Sequence, residues 1–292
     1  MMKQNLTVVC LFVLVLSTIT GCIHVSNEYE HRSRETTPNT RNSILGFSKQ
    51  VHDEDTLKQS IQQLEAYLRQ HRDDSELWDL LASQLILEGA AYKTSKRSKR
   101  DCYQRAMSAA VASMKVNSGF ADALRKGAEP WEAVEHLDQS NMNAMLFWTT
   151  GLLYQFRESM GGLANVVNVK WIDHGRAMIN RMEAIDGNWN GGAMWFTKSL
   201  LFHAIPESVG GDKKLAQEYL QRAIDVSDDW MLARWGRAKY YSIPSGNLEL
   251  AKKDLNIVIE SPLNLKGEAM CWRRYFQREA RAMLESIKSD EN

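Results

Sequence analysis

Apolar residues recur at helical spacing over most of the chain from residue 43 onward. Leu57, Ile61, Leu64 and Leu68 fall at i, i+4, i+7 and i+11, which predicts one buried stripe on an α-helix. No segment shows sustained alternation with a period of two, and the chain has only five prolines, so a sheet is not expected. Two further segments carry the helical spacing: Leu77, Leu81 and Leu85, and then Ala106, Ala110 and Met114.

An internal repeat refines this all-α prediction. Five residues of one segment recur 35 positions later, a displacement close to the roughly 34 residues of a tetratricopeptide repeat. Asp212 and Asn247 occupy the expected N-cap of a helix in the two copies. We therefore predict tetratricopeptide-like helical repeats stacked as a short superhelix. The repeated residues are Gly211, Leu215, Ala216, Leu220 and Ile224, which recur as Gly246, Leu250, Ala251, Leu255 and Ile259.

The start of the chain has a different pattern. Lys3 precedes an apolar run over residues 6–16, which is too short to span a membrane and has the length of a signal-peptide core. "ITGC" resembles a bacterial lipobox, so we expect residues 1–21 to be a lipoprotein signal peptide and Cys22 to carry lipid that anchors the chain. With Ile23 next, the expected location is the outer membrane, facing the periplasm. The polar residues 22–42 then form a flexible tether, and residues 43–292 form the helical-repeat domain.

Aromatic residues crowd into the middle of the chain, and most of them are expected in the core between repeats. Phe147–Trp148 and Trp195–Phe196 are adjacent pairs on predicted helices, so the two members of each pair point about 100° apart. One member of each pair is then free to line a groove that suits an apolar or aromatic ligand. The candidate ligand-binding residues are Trp148, Tyr154, Trp195 and Phe196.

The segment from Phe147 to Leu284 resembles the T component of tripartite ATP-independent periplasmic (TRAP) transporters, and the resemblance extends back to about Ser43. It implies a non-catalytic periplasmic lipoprotein that binds the transporter's solute-binding protein and offers a cleft or pore to hydrophobic molecules. The sequence leaves open whether the chain forms a homo-oligomer, and a trimer is one option. The segment "SGN" (245–247) departs from the fuller loop of the family. The residues that carry the resemblance are Gly191, Gly192, Pro206, Gly210, Gly211, Asp212, Ala216, Arg222–Ile224, Ala238, Tyr240, Tyr241 and the closing helix Gln277–Leu284.

The loop "AIPESVGGDK" is the candidate contact to that partner. Pro206, Gly210 and Gly211 give it an unusual backbone path, and Asp212 offers a charge at its tip, where recognition often resides. The alternative role of Asp212 is only to cap the next helix.

The sequence offers little to an enzyme or a nucleic-acid-binding protein. Basic and acidic residues are equal at 36 each, so no global field recruits nucleic acid. We find no His pair at i, i+4, no Cys-x-x-Cys, no nucleophile elbow and no phosphate loop, and we expect no catalysis, no metal and no cofactor. Cys102 and Cys271 are expected to stay unpaired.

Two other readings of the sequence stay open. One is a scaffold lipoprotein in envelope or outer-membrane assembly, and the other is a degenerate enzyme domain. The basic run "KTSKRSKR" (93–100) is interpreted as a solvated loop between helices, with contact to anionic headgroups as the alternative.

Overall fold

The computed structural model describes residues 40–159, 170–189, 192–205, 207, 210–226, 230–264 and 267–290, which form α-helices, short turns of 3-10 and π-helix, and no strand. The all-α class is thereby confirmed for this part of the chain. The predicted signal peptide, Cys22 and most of the tether lie outside the described residues. The helices are α1 (Arg41–Ser48), α2 (Glu54–Leu68), α3 (Ser75–Tyr92), α4 (Lys96–Met114), α5 (Ser118–Arg125), α6 (Met142–Tyr154), α7 (Lys170–Asp186), α8 (Ala193–Ala204), α9 (Lys213–Asp225), α10 (Met231–Arg237), α11 (Leu248–Glu260) and α12 (Met270–Asp290).

The first helices follow the predicted stripes. In α2 the four residues at helical spacing, from Leu57 to Leu68, are buried. A capping box begins this helix, because the side chain of Asp53 accepts from the Thr56 amide and Thr56 reaches back to the amide of Asp53. α1 begins at Arg41, two residues before the predicted start of the domain, since Thr40 caps it. Local capping chemistry therefore sets where these helices begin.

α3 lies at the centre of the first half of the domain. It packs against α2, α4 and α6, and most of its residues are buried on every side, as expected of a helix that is apolar around its whole circumference. α6 comes close to α4 at Gly151, where a Cβ would lie 3.0 Å from the Met107 Cγ atom. The small residue thus permits the close packing of these two core helices.

The second half contains the two repeat copies. Asp212 Oδ1 accepts from the Leu215 amide at 2.9 Å, and Asn247 Oδ1 accepts from the Leu250 amide at 3.3 Å. Ala216 and Ala251 are both fully buried. Each copy is a pair of helices, α9 with α10 and then α11 with α12. Paired helices are thus seen in both copies, while a tetratricopeptide-like superhelix stays a prediction.

The repeat continues into the second helix of each copy. Tyr240 and Tyr241 on the π-helical turn after α10 correspond, at the same displacement of 35, to Tyr275 and Phe276 on α12. All four side chains are buried or nearly so. The repeat therefore extends to the aromatic residues at the contact of α10 with α12.

The last helix contacts the third. Trp272 Nε1 donates to Ser83 Oγ at 2.8 Å across 189 residues of sequence, and Arg278 Nη2 donates to the Ala91 carbonyl oxygen at 3.2 Å. α12 therefore joins the second half of the domain to the first. Among the residues that the structure describes, none of the helices has the length and apolar character required to cross a lipid bilayer.

Candidate functional site

The adjacent aromatic pairs are more deeply buried than predicted. Trp148 is 3% exposed, Trp195 1% and Phe196 4%, whereas Phe147 is partly buried. Trp195 and Phe196 are both buried in the core, so the prediction that one member of each pair is free of it is wrong for this pair. Phe196 packs against Gly236, where any Cβ would overlap its ring. Ligand contact by Trp148, Trp195 or Phe196 stays a prediction that requires movement of the core.

Trp195 owes its burial to α9. Its ring stacks on Tyr219 with centroids 5.5 Å apart, and the Arg222 guanidinium lies 3.6 Å from its centroid. Such a cation–π contact strengthens as water is excluded from it. Trp195 is therefore part of the junction between α8 and α9, with the cation of Arg222 covering its ring.

Tyr154 differs from the other three candidates because it is partly exposed. It belongs to what we call the tyrosine cluster: Tyr103, Tyr154, Tyr240 and Tyr275. The rings of Tyr103 and Tyr154 lie 5.4 Å apart, and Tyr240 and Tyr275 are close enough to Tyr154 to act on it electrostatically. Burial raises the pKa of Tyr154 well above its usual value, with neighbouring phenols adding to the effect. The cluster therefore presents neutral hydroxyl groups at physiological pH.

A carboxylate and a guanidinium meet this cluster from the π-helical turn Gln155–Ser159, which continues α6. Glu158 Oε2 accepts from the Tyr103 hydroxyl and from Lys99 Nζ, each at 2.6 Å. Arg157 lies over the Tyr240 ring at 3.9 Å from its centroid. π-Helical turns occur often at functional sites. Here the turn places one charge of each sign beside partly buried hydroxyl groups.

The basic run at 93–100 contributes to the same region. Ser95 caps α4 by accepting from the Ser98 amide, so the interpretation of this run as a loop is wrong from Lys96 onward. Lys99 contacts Glu158, and Arg100 donates to the Ser159 carbonyl oxygen at 3.2 Å. Two of its cations therefore contact the π-helical turn.

The predicted partner loop is anchored at its C-terminal end. Pro206 lies outside the described residues. Gly210 adopts a left-handed backbone with φ of 95°, and its carbonyl oxygen accepts from Arg176 Nη2 at 2.8 Å. Asp212 caps α9, as the alternative reading expected, and its amide donates to the Phe202 carbonyl oxygen at 3.3 Å. Gly210 and Asp212 are exposed and Gly211 is half-buried, so this end of the loop is accessible.

A cavity of about 220 Å³, the loop cavity, opens beside Gly210. Its basic residues are held in place: Arg176 lies over the Phe202 ring at 5.3 Å, and Lys198 pairs with Glu183. Apolar side chains line its other side. The loop cavity is lined by Arg176, Ile179, Asn180, Lys198, Leu201, Phe202 and Gly210.

A larger cavity of about 300 Å³, the closure cavity, lies where α12 contacts the end of α3. The sequence reasoning missed it because its walls come from segments far apart along the chain. A signal was present, since Arg274, Arg278 and Arg281 fall at i, i+4 and i+7 on one face of α12. The closure cavity is lined by Val51, His52, Leu87, Tyr92, Leu263, Cys271, Arg274, Tyr275, Gln277, Arg278 and Arg281.

The described side chains do not form a metal site, because no three His, Cys, Asp or Glu among them are grouped to hold an ion. Cys102 and Cys271 are free thiols.

Comparison with known proteins adds one finding. A family model described as TRAP transporter T-component matches residues 83–289, which is more than half of the chain. Among curated proteins, none matches the chain. The matched segment includes every residue of the tyrosine cluster and the whole predicted partner loop.

Proposed function

We propose, from the premise that the chain belongs to the TRAP transporter T-component family, that it is a non-catalytic accessory lipoprotein of a TRAP-type solute uptake system. It binds a periplasmic solute-binding protein and a hydrophobic small molecule. The family match over residues 83–289 carries the proposal, because it covers α4 to α11 and nearly all of α12. The loop and the tyrosine cluster add support from geometry.

The partner loop supports recognition of a folded protein. Its exposed end is fixed by two contacts, the Arg176 hydrogen bond to Gly210 and the cap made by Asp212. A loop held at its base loses less conformational entropy on binding than a free one does. Glu207, Asp212 and Lys213 are exposed, so charged groups of both signs are available to the solute-binding protein.

Tyr154 is the candidate residue best placed to meet a small molecule. It is partly exposed, whereas Tyr103, Tyr240 and Tyr275 of the tyrosine cluster are buried. Binding at Trp148, Trp195 or Phe196 requires the core to open, so we place the ligand first at Tyr154. Tyr154→Ala is then expected to weaken binding of a fluorescent apolar probe, and unchanged binding by a folded variant would remove Tyr154 from the site.

Anchoring rests on Cys22 in this proposal. Its thiol carries the lipid, and residues 22–42 hold the folded domain clear of the outer membrane on the periplasmic side. Cys22→Ala is expected to abolish incorporation of radiolabelled fatty acid. A variant that still carries covalent lipid would contradict this anchor.

The partner is tested by pull-down with the solute-binding protein encoded beside this gene. Asp212→Ser keeps an N-cap and removes the charge. We therefore expect a free energy of unfolding within about 0.5 kcal/mol of the parent's and several-fold weaker association with the solute-binding protein. Asn247→Ser is the matched control, since it changes the equivalent cap of α11 and leaves the loop untouched. If the unsubstituted protein shows no association even at high concentration, the transporter role fails and a scaffold role in envelope assembly takes its place.

A further inference from the structure

The lining of the closure cavity has a net positive charge, although the whole chain has none. The chain has 36 basic and 36 acidic residues, whereas the lining of this cavity includes three arginines and no Asp or Glu. His52 is balanced separately, because its Nε2 atom lies 3.3 Å from Asp53 and its Nδ1 atom meets the Gln50 carbonyl oxygen at 2.8 Å. The excess positive charge therefore belongs to Arg274, Arg278 and Arg281.

Two other arginines of the second half of the domain are matched by carboxylates. On α12 itself, the buried Arg273 pairs with Glu268 at 3.0 Å, and on α10 Arg237 makes a two-pronged contact with Asp254 at 2.6 and 2.8 Å. Within the described part of the chain, none of the three cavity arginines has a carboxylate within 4.0 Å. Their guanidinium donors are available to an anion from outside.

Arg278 is positioned before any ligand arrives. One of its nitrogens donates to the Ala91 carbonyl oxygen at 3.2 Å, and its guanidinium lies 5.2 Å from the Tyr92 ring centroid and 5.8 Å from that of Tyr275. A guanidinium has five N–H donors, so this bond leaves others free. Fixing the plane of the group favours two-pronged binding of a carboxylate or phosphate.

The cavity also has apolar and aromatic lining residues. Val51 and Leu87 are almost completely buried there, Leu263 comes from the connection between α11 and α12, and the Tyr92 ring lies beside Arg278. A volume of about 300 Å³ matches the low end of small-molecule sites. An occupant that suits both the arginines and the apolar residues has a charged end and a small apolar body.

We propose that the closure cavity binds a small amphiphilic anion, in which one carboxylate or phosphate group is joined to a single aromatic ring or a short alkyl chain. The anion contacts Arg274, Arg278 and Arg281, and the apolar part packs against Val51, Leu87 and Tyr92. The same chemistry is present in a free organic anion and in the phosphate region of an acidic phospholipid. Because the occupant touches α12 and α3 together, its binding stabilises their contact.

The test uses isothermal titration of the full chain carrying Cys22→Ala, so that any lipid detected is bound and not covalently attached. The probes are phenyl phosphate for a free anion and dihexanoyl phosphatidylglycerol for a lipid, with zwitterionic dihexanoyl phosphatidylcholine as control. We expect saturable binding of an anionic probe, weakened at least about tenfold by Arg274→Gln with Arg281→Gln. Arg125→Gln, an exposed arginine of α5, is the matched control and leaves binding unchanged.

The two anionic probes distinguish a free organic anion from an acidic phospholipid as the occupant. Saturable binding of phenyl phosphate identifies a free anion, and binding of phosphatidylglycerol without phenyl phosphate identifies a lipid; both support the proposal. It is overturned if neither anion binds, if phosphatidylcholine binds equally well, or if the arginine pair can be substituted without effect.

Cys271 lines the cavity, so its reactivity reports independently on where the anionic probe binds. Maleimide labelling, mapped by mass spectrometry, is expected to slow at Cys271 when the bound probe is present and to stay unchanged at the buried Cys102. Unprotected Cys271 under saturating probe would place the anion elsewhere and overturn the assignment.

Discussion

Asp79 shows how one side chain couples this fold to pH. It lies inside α3 with 7% of its surface exposed, and burial raises the pKa of its carboxyl group to about 7. A carboxyl group whose folded pKa is raised favours the folded state at low pH. That contribution is complete below the unfolded value of 3.8 and is lost as pH rises to about 7. Above that pH the buried carboxylate of Asp79 is ionised, which lowers the free energy of unfolding.

Asp79→Asn is therefore expected to stabilise the domain in a pH-dependent way. Its advantage over the parent grows between pH 4 and 7 and then levels off, reaching on the order of 1–4 kcal/mol. Thermal melting from pH 4 to 9 measures it. Asp254→Asn is the control, since this buried carboxylate is paired with Arg237 and its loss destabilises. A constant difference between Asp79→Asn and the parent at all pH values would contradict the assignment.

At the scale of elements, local signals specify most of the helices. The α2 stripe, the caps at Asp212 and Asn247 and the alanines at 216 and 251 were predictable because each depends on neighbours within one or two turns. Burial of both members of the pair Trp195–Phe196 was not predictable. It depends on Gly236 and Arg222, which belong to other helices.

The repeat alignment can be tested by overpacking. Ala216 is fully buried on α9, so Ala216→Leu is expected to lower the free energy of unfolding by about 1–3 kcal/mol. Ala251→Leu on α11 is expected to do the same. Denaturant unfolding of both variants checks this, and Gly46→Ala is the control because a Cβ there meets no atom within 4 Å. Parent-like stability of either leucine variant would count against the equivalence of the two copies.

At the scale of the whole molecule, the contact of α12 with α3 changes how the repeats behave. In an open array each repeat contacts only its neighbours, so the ends fray independently. Here Trp272 and Arg278 connect the last helix to Ser83 and Ala91. The closure cavity and the tyrosine cluster both depend on such distant contacts, which is why the sequence predicted only Tyr154 of the cluster as a ligand contact and missed the cavity.

Trp272→Phe isolates this contact, because it keeps an aromatic ring and removes the N–H that donates to Ser83 Oγ. We expect a loss of about 0.5–1.5 kcal/mol in stability and faster amide exchange in α3 and α12 together. Trp189→Phe is the control, as the described residues give its indole no hydrogen bond. Faster exchange in α12 with unchanged exchange in α3 would contradict coupling between the two helices.

The same contact has a consequence for synthesis. Ser83 and Trp272 are 189 residues apart, so the surface of α3 that receives α12 has no partner there until almost the whole chain has been made. At about 5–20 residues per second, that interval is on the order of 10–40 s. The segment from Ser83 to Ala91 therefore waits longer for its α12 contacts than for any contact that is local in sequence.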